Sequence, residues 1–451
     1  MKNVKRIIAV TIIFMISFAQ LGSFQVDSAF KAPFEIVSNA AYMVNTDTDT
    51  VVFEKNAQQK TYPASLTKIM TAIIALEHVQ DLEGTVVTAP SYIYDEFAGM
   101  NVSTADIRRG EQVRMIDLLY AMILPSACEA SNIIADYVGK GSIPDFVEMM
   151  NQKAKEIGAV NTHFTNAHGL FDKDQVTTAY DMYLIAKYAM AIPMFEKISS
   201  TPSYLMPVTN KHAEERYAVH TNSMLSKNRG GKYYYKDMKG VKTGSLPEIG
   251  KNLITTVSRD GYNYMLVTIG AATSDKDGKP YDSNKSYDDA IALYNWALSN
   301  FSQQKILKEN ETIDEVPVTL SSQQDYVTLV ATKDVIALLP SDVEPSAVQR
   351  TITTNPSVVA PIKKGDVLGK LELKLADDII ASIDLVAKED VKRNQVLYIL
   401  DIVKRFLSKP SIIILLVILF LLLFLYSLVA LRYKKIQRQR AMRSRNNMRM
   451  R

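Results

Sequence analysis

Apolar and polar positions change their spacing repeatedly along the chain, and each change marks an element. From Ala40 to Glu54 two apolar runs flank a polar centre, Asn45-Thr46-Asp47-Thr48-Asp49, which is the pattern of a β-hairpin. Between Ser65 and Glu77, residues Ile69, Met70, Ile73, Ile74 and Leu76 recur at helical spacing. A largely helical stretch follows, with helices expected over 115–124, 129–138 and 181–190. After Gly240 the period shortens to two, predicting strands over 253–257 and 264–269 around an Asp260-Gly261 turn. Helical spacing returns over 287–301 through Ile291, Leu293, Tyr294, Trp296 and Leu298, a helix expected to pack on that sheet. The fold class expected is α/β (α+β), a mixed sheet flanked by helices with an all-helical subdomain.

Further on, alternating segments at 316–320, 326–331, 357–362, 367–375 and 379–386 carry turn signals between them and predict a small antiparallel β domain over 310–395. Residues 396–410 form an amphipathic stalk. From Ser411 to Leu431 no charge interrupts an apolar run long enough to cross the hydrocarbon core. The tail 432–451 is rich in Arg and Lys without an acidic residue, so the positive-inside rule puts it in the cytoplasm. At the other end, Lys2, Lys5 and Arg6 precede an apolar core, Ile7 to Ala19, too short to span; residues 1–29 read as a signal peptide. The expected product is a bacterial membrane protein with a single C-terminal span, its catalytic domain (30–303) outside the cell.

Composition narrows this further. At 451 residues and 47% hydrophobic, the chain can hold one large domain, one small one and the anchor. The net charge of +4 comes largely from the tail, so no nucleic-acid partner is implied. Cys128 is the one cysteine, which excludes an intrachain disulfide.

Three short motifs carry candidate chemistry: Ser65-Leu66-Thr67-Lys68, Ser126-Ala127-Cys128 and Lys242-Thr243-Gly244. Pro63-Ala64 set Ser65 at a helix N-terminus, and Lys68 follows one turn later on the same face. An amine so placed acts as a base only if burial or a neighbouring cation lowers its pKa, and Lys242 is a candidate cation. The backbone N–H of Ser65 offers half of an oxyanion hole. In this order the motifs match the signature of penicillin-recognising serine enzymes, with cysteine where asparagine is usual.

From about residue 31 to 395 the chain resembles the low-molecular-mass penicillin-binding proteins that are D-alanyl-D-alanine carboxypeptidases. The resemblance extends through YPASLTKIMTA, LLYAMILPSACEASNIIADYVG, NTHFTNAHGLFDKD, SKNRGGKYYYKDMKGVKTGS and APIKKGDVLGKLEL. It implies that Ser65 attacks the penultimate D-alanine carbonyl, Lys68 takes the serine proton and Ser126 passes a proton to the departing D-alanine. It further implies that Lys242 and Thr243 hold the terminal carboxylate, and that the N–H groups of Ser65 and Ser245 form the oxyanion hole beside Gly244. Peptidoglycan stem peptides are then substrates and β-lactams covalent inhibitors, with no cofactor or metal; His163 and His168 lack a third ligand at useful spacing. Cys128, as donor and acceptor, is weaker than an asparagine. That leaves a D,D-transpeptidase as an alternative, with a non-catalytic peptidoglycan binder as another. A class A β-lactamase is disfavoured because no E-x-x-L-N follows between Cys128 and Lys242.

Overall fold

The computed structural model describes residues 30–375 and 378–448; the predicted signal segment, 1–29, lies outside them. By internal packing the chain divides into two units. The first runs to Lys305 and also takes in Ile336–Val348 and Leu375–Ile380, while the second comprises Ile306–Val335, Gln349–Lys374 and the chain from Ala381 onward.

The first unit is built on a five-stranded sheet. Its strands are β1 (Ser38–Asn45), β2 (Thr50–Lys55), β3 (Met238–Leu246), β4 (Gly250–Arg259) and β5 (Tyr262–Ala271), in the order β2-β1-β5-β4-β3. Every adjacent pair is antiparallel, so the sheet is not mixed as its pattern predicts. Hairpins explain this, since β1–β2 and β3–β4–β5 are joined by turns too short for a parallel crossover. The Asp260-Gly261 turn has φ of 52° and 85° at its two residues, the positive pair that a two-residue hairpin needs.

Alternation along the strands feeds two cores. Tyr42, Val44, Ile254, Val267 and Ile269 face one side, and Ala41, Met43, Leu253, Val257 and Leu266 the other. On the first side lies α1 (Thr67–His78), surrounded by α2 (Met115–Ile123), α3 (Cys128–Val138), α4 (Ile143–Ile157), α5 (Ala179–Met190) and α6 (Pro193–Ser199). Every α1 residue from Thr67 to Ala75 is buried, which is why its apolar positions wrap beyond a single stripe. Against the second side packs α7 (Lys285–Asn300), through Leu293, Tyr294 and Ala297. Helices α1, α2, α3, α5 and α7 lie where the periodicity predicts them, whereas α4 and α6 are not among the elements it predicts. The short hairpins Val86–Thr88 with Gln112–Arg114, and Ser203–Met206 with Arg216–Val219, carry too few alternating positions to be read from sequence.

The second unit holds most of a six-stranded sheet of β6 (Thr312–Thr319), β7 (Tyr326–Ala331), β8 (Gln349–Thr354), β9 (Val358–Val359), β10 (Val367–Leu375) and β11 (Asp378–Ala387), ordered β8-β10-β11-β7-β6-β9. It is not wholly antiparallel, because β6 and β9 run parallel over Val318↔Val358 and Thr319↔Val359. The long connection through β7 and β8 gives the chain room to return in the same direction. Strand β8 is exposed along almost its whole length and so lacks the alternation that announces a strand. Helix α8 (Gln395–Leu407) is capped by Asn394 and leaves Val396, Ile399, Leu400 and Phe406 exposed. Helix α9 (Pro410–Met448) contains, over Pro410–Arg440, a segment long and apolar enough to cross a membrane.

One carboxylate ties α7 to the first strand. Asp289 accepts from Val37 N at 3.0 Å, Ser38 N at 2.8 Å and Ser38 Oγ at 2.6 Å, all in or beside the core. Asp289→Ala strands these buried donors and is expected to lower stability by about 2–4 kcal/mol. The check is the urea or thermal midpoint of the full chain in detergent; a loss below about 1 kcal/mol would show that packing, not the carboxylate, holds the helix.

Candidate active site

The turn before α1 sets the position of Ser65. Ala64 is left-handed, with φ of 52°, and a single 3-10 turn, Ala64–Leu66, feeds the helix. Asn252 on β4 fastens this turn to the sheet. Its Nδ2 donates to the carbonyls of Tyr62 and Pro63, both at 3.1 Å, while its Oδ1 accepts from Gly270 N at 2.9 Å. Gly244 on β3 presses on the same turn; a Cβ there would lie 3.1 Å from Ala64 Cβ and 3.3 Å from Ser65 N. The serine N–H and the β3 edge are thereby brought side by side.

Lys68 lies one turn into the helix, as its spacing requires. Its Nζ is 3.2 Å from Ser65 Oγ, 3.6 Å from Cys128 Sγ and 2.5 Å from the carbonyl of His168. Lys242, projecting from β3, donates to the Thr243 carbonyl at 3.1 Å. Both lysines are fully buried. Burial holds Lys68 below its usual 10.5, opposed by Cys128 and Glu129. Lys242 is pushed well below the same value, first by burial and then by the charge of Lys68. The charge of Lys68 works against protonation of Lys242, so the doubly protonated pair is disfavoured, while burial works against the ammonium form of Lys68 itself.

The opposite wall is the loop that opens α3. Ser126 is left-handed, with φ of 68°, and its buried Oγ has no hydrogen-bond partner among the described residues. Two contacts clamp this loop to the segment before α2. Cys128 N donates to the Ser103 carbonyl at 2.9 Å, and buried Glu129 accepts from Thr104 Oγ1 at 2.6 Å and Ala105 N at 2.7 Å.

Behind Lys68, His168 is a support rather than a ligand. Its Nδ1 accepts from Leu170 N at 3.1 Å, which leaves the Nε2 proton aimed at Glu96 Oε2, 3.5 Å away. Burial lowers the His168 pKa, so this neutral tautomer persists at pH 7. Asn132 on α3 holds the same carboxylate. Next to His168, Gly169 has φ of 85°, and a Cβ there would meet the Ala64 carbonyl oxygen at 2.0 Å.

Between these walls is a cavity of about 260 Å³. Ser65, Ser126, Thr243, Gly244 and Ser245 line it, whereas Lys68, Cys128 and Lys242 sit buried behind its surface. Sequence reasoning missed Ser103, Thr221, Lys251 and Asn284, which also line it. They are isolated residues without a motif, and only the fold gathers them. Thr221 extends the β3 edge, its hydroxyl 2.6 Å from that of Thr243. A hydroxyl beside a partly neutralised amine, a second orphan hydroxyl and two N–H groups, one on the turn before α1 and one on the β3 edge, can perform acyl transfer to serine.

Comparison with known proteins points the same way. The family described as D-alanyl-D-alanine carboxypeptidase, Peptidase S11, matches residues 26–273, and the C-terminal domain of penicillin-binding protein 5 matches residues 301–393. The D-alanyl-D-alanine carboxypeptidase DacF of Bacillus subtilis is 28% identical over 358 residues, covering 79% of this chain and 86% of that protein. The crystal structure of penicillin-binding protein 5 from Haemophilus influenzae superposes with a TM-score of 0.63 at 25% identity, over 80% of this chain and all (100%) of that one. The Streptomyces K15 DD-transpeptidase gives 0.53 at 27% identity, over 60% of this chain and 100% of that one. With a match to the family over more than half of its length, this chain belongs to the D-alanyl-D-alanine carboxypeptidases of Peptidase S11.

Proposed function

We propose that the protein is a serine-type D-Ala-D-Ala carboxypeptidase that trims the terminal D-alanine from peptidoglycan stem pentapeptides and so limits cross-linking. The observation that carries this reading is the Lys68 amine, buried without a bonded carboxylate among the described residues and 3.2 Å from Ser65 Oγ at the cavity wall. Neutral Lys68 accepts the serine proton as Oγ bonds to the carbonyl carbon of the penultimate D-alanine. The resulting oxyanion is met by the N–H groups of Ser65 and Ser245. As the C–N bond breaks, the amine of the terminal D-alanine takes a proton through Ser126, whose unpartnered hydroxyl is free to donate. Water then adds to the acyl ester, its proton returning by way of Lys68, and Ser65 is released. A β-lactam follows the same first step, but its leaving amine stays tethered and the ester persists.

The α9 span and the basic tail support an anchor whose catalytic unit, residues 30–303, works on the outer side of the membrane while 432–451 lie in the cytoplasm. A D,D-transpeptidase is the second reading. It is favoured by Cys128, whose thiol orders the site less firmly than an amide would and leaves the choice between water and an amine acceptor open.

With full-length protein in detergent, Ser65-dependent release of D-alanine and a tetrapeptide product is expected; acceptor-linked product alone would favour transpeptidation instead. Ser65→Ala should abolish acylation, whereas Cys128→Ala should retain it within about tenfold, the thiol being a weak partner. Peptide mapping of the penicillin adduct decides this, and an adduct on Cys128 would refute the serine assignment.

The acylation rate should rise with pH as Lys68 loses its proton, along a limb set below 10.5. Lys242 gives up its proton before Lys68 and carries no charge while Lys68 titrates, so Lys242→Gln should leave the limb in place. Acylation that does not rise with pH, measured with a fluorescent penicillin, would mean that Lys68 is not the base.

Gly169→Ala drives a methyl into the Ala64 carbonyl and should cut acylation at least about a hundredfold, on the scale of a misplaced reacting group. Near-normal labelling would show that the turn before Ser65 tolerates displacement.

A further inference from the structure

The two buried lysines leave open which group meets the substrate's terminal carboxylate. Lys242 is fully buried, is occupied by the Thr243 carbonyl and does not line the cavity. Lys68 is likewise behind the wall. Among the described residues, one charged side chain does line the cavity, that of Lys251. It stands on β4 directly across from Ser245, whose N–H belongs to the β3 edge. Directly opposed residues in an antiparallel pair project to the same face, so Lys251 and Ser245 look into the same space. Its side chain is half-buried, and no hydrogen bond or ion pair engages it among the described residues. No carboxylate lines the cavity either; Ser245, Asn284, Ser286 and Tyr287 give that end of it uncharged polar groups.

We infer that Lys251 is the cation that binds the terminal carboxylate of the acyl-D-Ala-D-Ala substrate, with the Thr243 hydroxyl beside it, and thereby selects free C-termini over blocked ones. The inference rests on the proposed peptidase reading and refines it: Lys242 stays behind the wall, and Lys251 reads the substrate. Burial and the neighbouring charge of Lys68 hold Lys242 well below its usual value, which makes it a weaker partner for an anion than a half-solvated lysine. A flexible ammonium at the cavity edge meets a carboxylate as a point charge, and such charge-assisted contacts are about twice as strong as neutral ones.

The test uses the full-length protein in detergent micelles with an acyl-L-Lys-D-Ala-D-Ala peptide as free acid and as C-terminal amide. For Lys251→Gln, KM for the acid is expected to rise roughly ten- to a hundredfold, the range for a hydrogen bond to a charged group. The amide, which offers no negative charge, should shift by no more than about threefold, and Lys251→Arg should recover most of the preference for the acid. Parallel shifts on acid and amide, or no shift on either, would overturn the assignment. Absence of D-alanine release by the wild-type protein would instead overturn the peptidase reading. Lys251 is then still judged by penicillin acylation of Ser65, comparing the free acid with its methyl ester. Loss of the acid preference in Lys251→Gln supports the role, and an unchanged preference refutes it.

Discussion

Burying two lysine amines behind one wall, with backbone carbonyls as their bonded acceptors, is the constraint on which the rest of this site depends. An ammonium removed from water is costly unless it is paired, and here no carboxylate is bonded to either Lys68 or Lys242 among the described residues. The system relieves that cost by favouring loss of a proton. Both amines are shut off from solvent, and the charge of buried Glu129 opposes the loss of the Lys68 proton only in part. The apolar surroundings of α1 are thus part of the acid–base chemistry as well as of the core.

Around that pocket the fold over-determines a few strained positions. Ala64 and Ser126, both left-handed, sit on facing walls. Each is held from outside its own element, Ala64 by the Asn252 clamp and the pressure of Gly169 and Gly244, Ser126 by the ties of Cys128 and Glu129 to residues 103–105. Strain of this kind persists only where the neighbours supply more contacts than the local backbone would choose. Hydrogen bonds from distant elements, more than propensity within α1 or α3, set the reacting groups in place.

The second unit and the helices after it answer a different demand. Their sheet has an edge strand, β8, with little buried surface, and α8 leaves its apolar residues uncovered. An uncovered apolar helix immediately before an uncharged span has a composition suited to a membrane boundary, where apolar side chains find partners.

Much of this was legible in the chain. The hairpin turns, the main helices and the apolar span rest on local spacing and turn chemistry, and the i,i+3 relation of Ser65 and Lys68 is fixed by helix geometry alone. The order of the three motifs carried the candidate chemistry. Sequence could not tell that the sheet is antiparallel throughout, nor that β9 pairs parallel with β6, because strand direction is settled by which edges meet. Nor could residue spacing tell that folding carries the Lys242 side chain behind the cavity wall and places Lys251 in its lining. The roles of Asn252, Gly169 and Glu96 have no local signature; each follows from a contact spanning tens to hundreds of residues. Local residue order determined which groups could react, and tertiary packing decided which are buried, which are charged and which face the substrate.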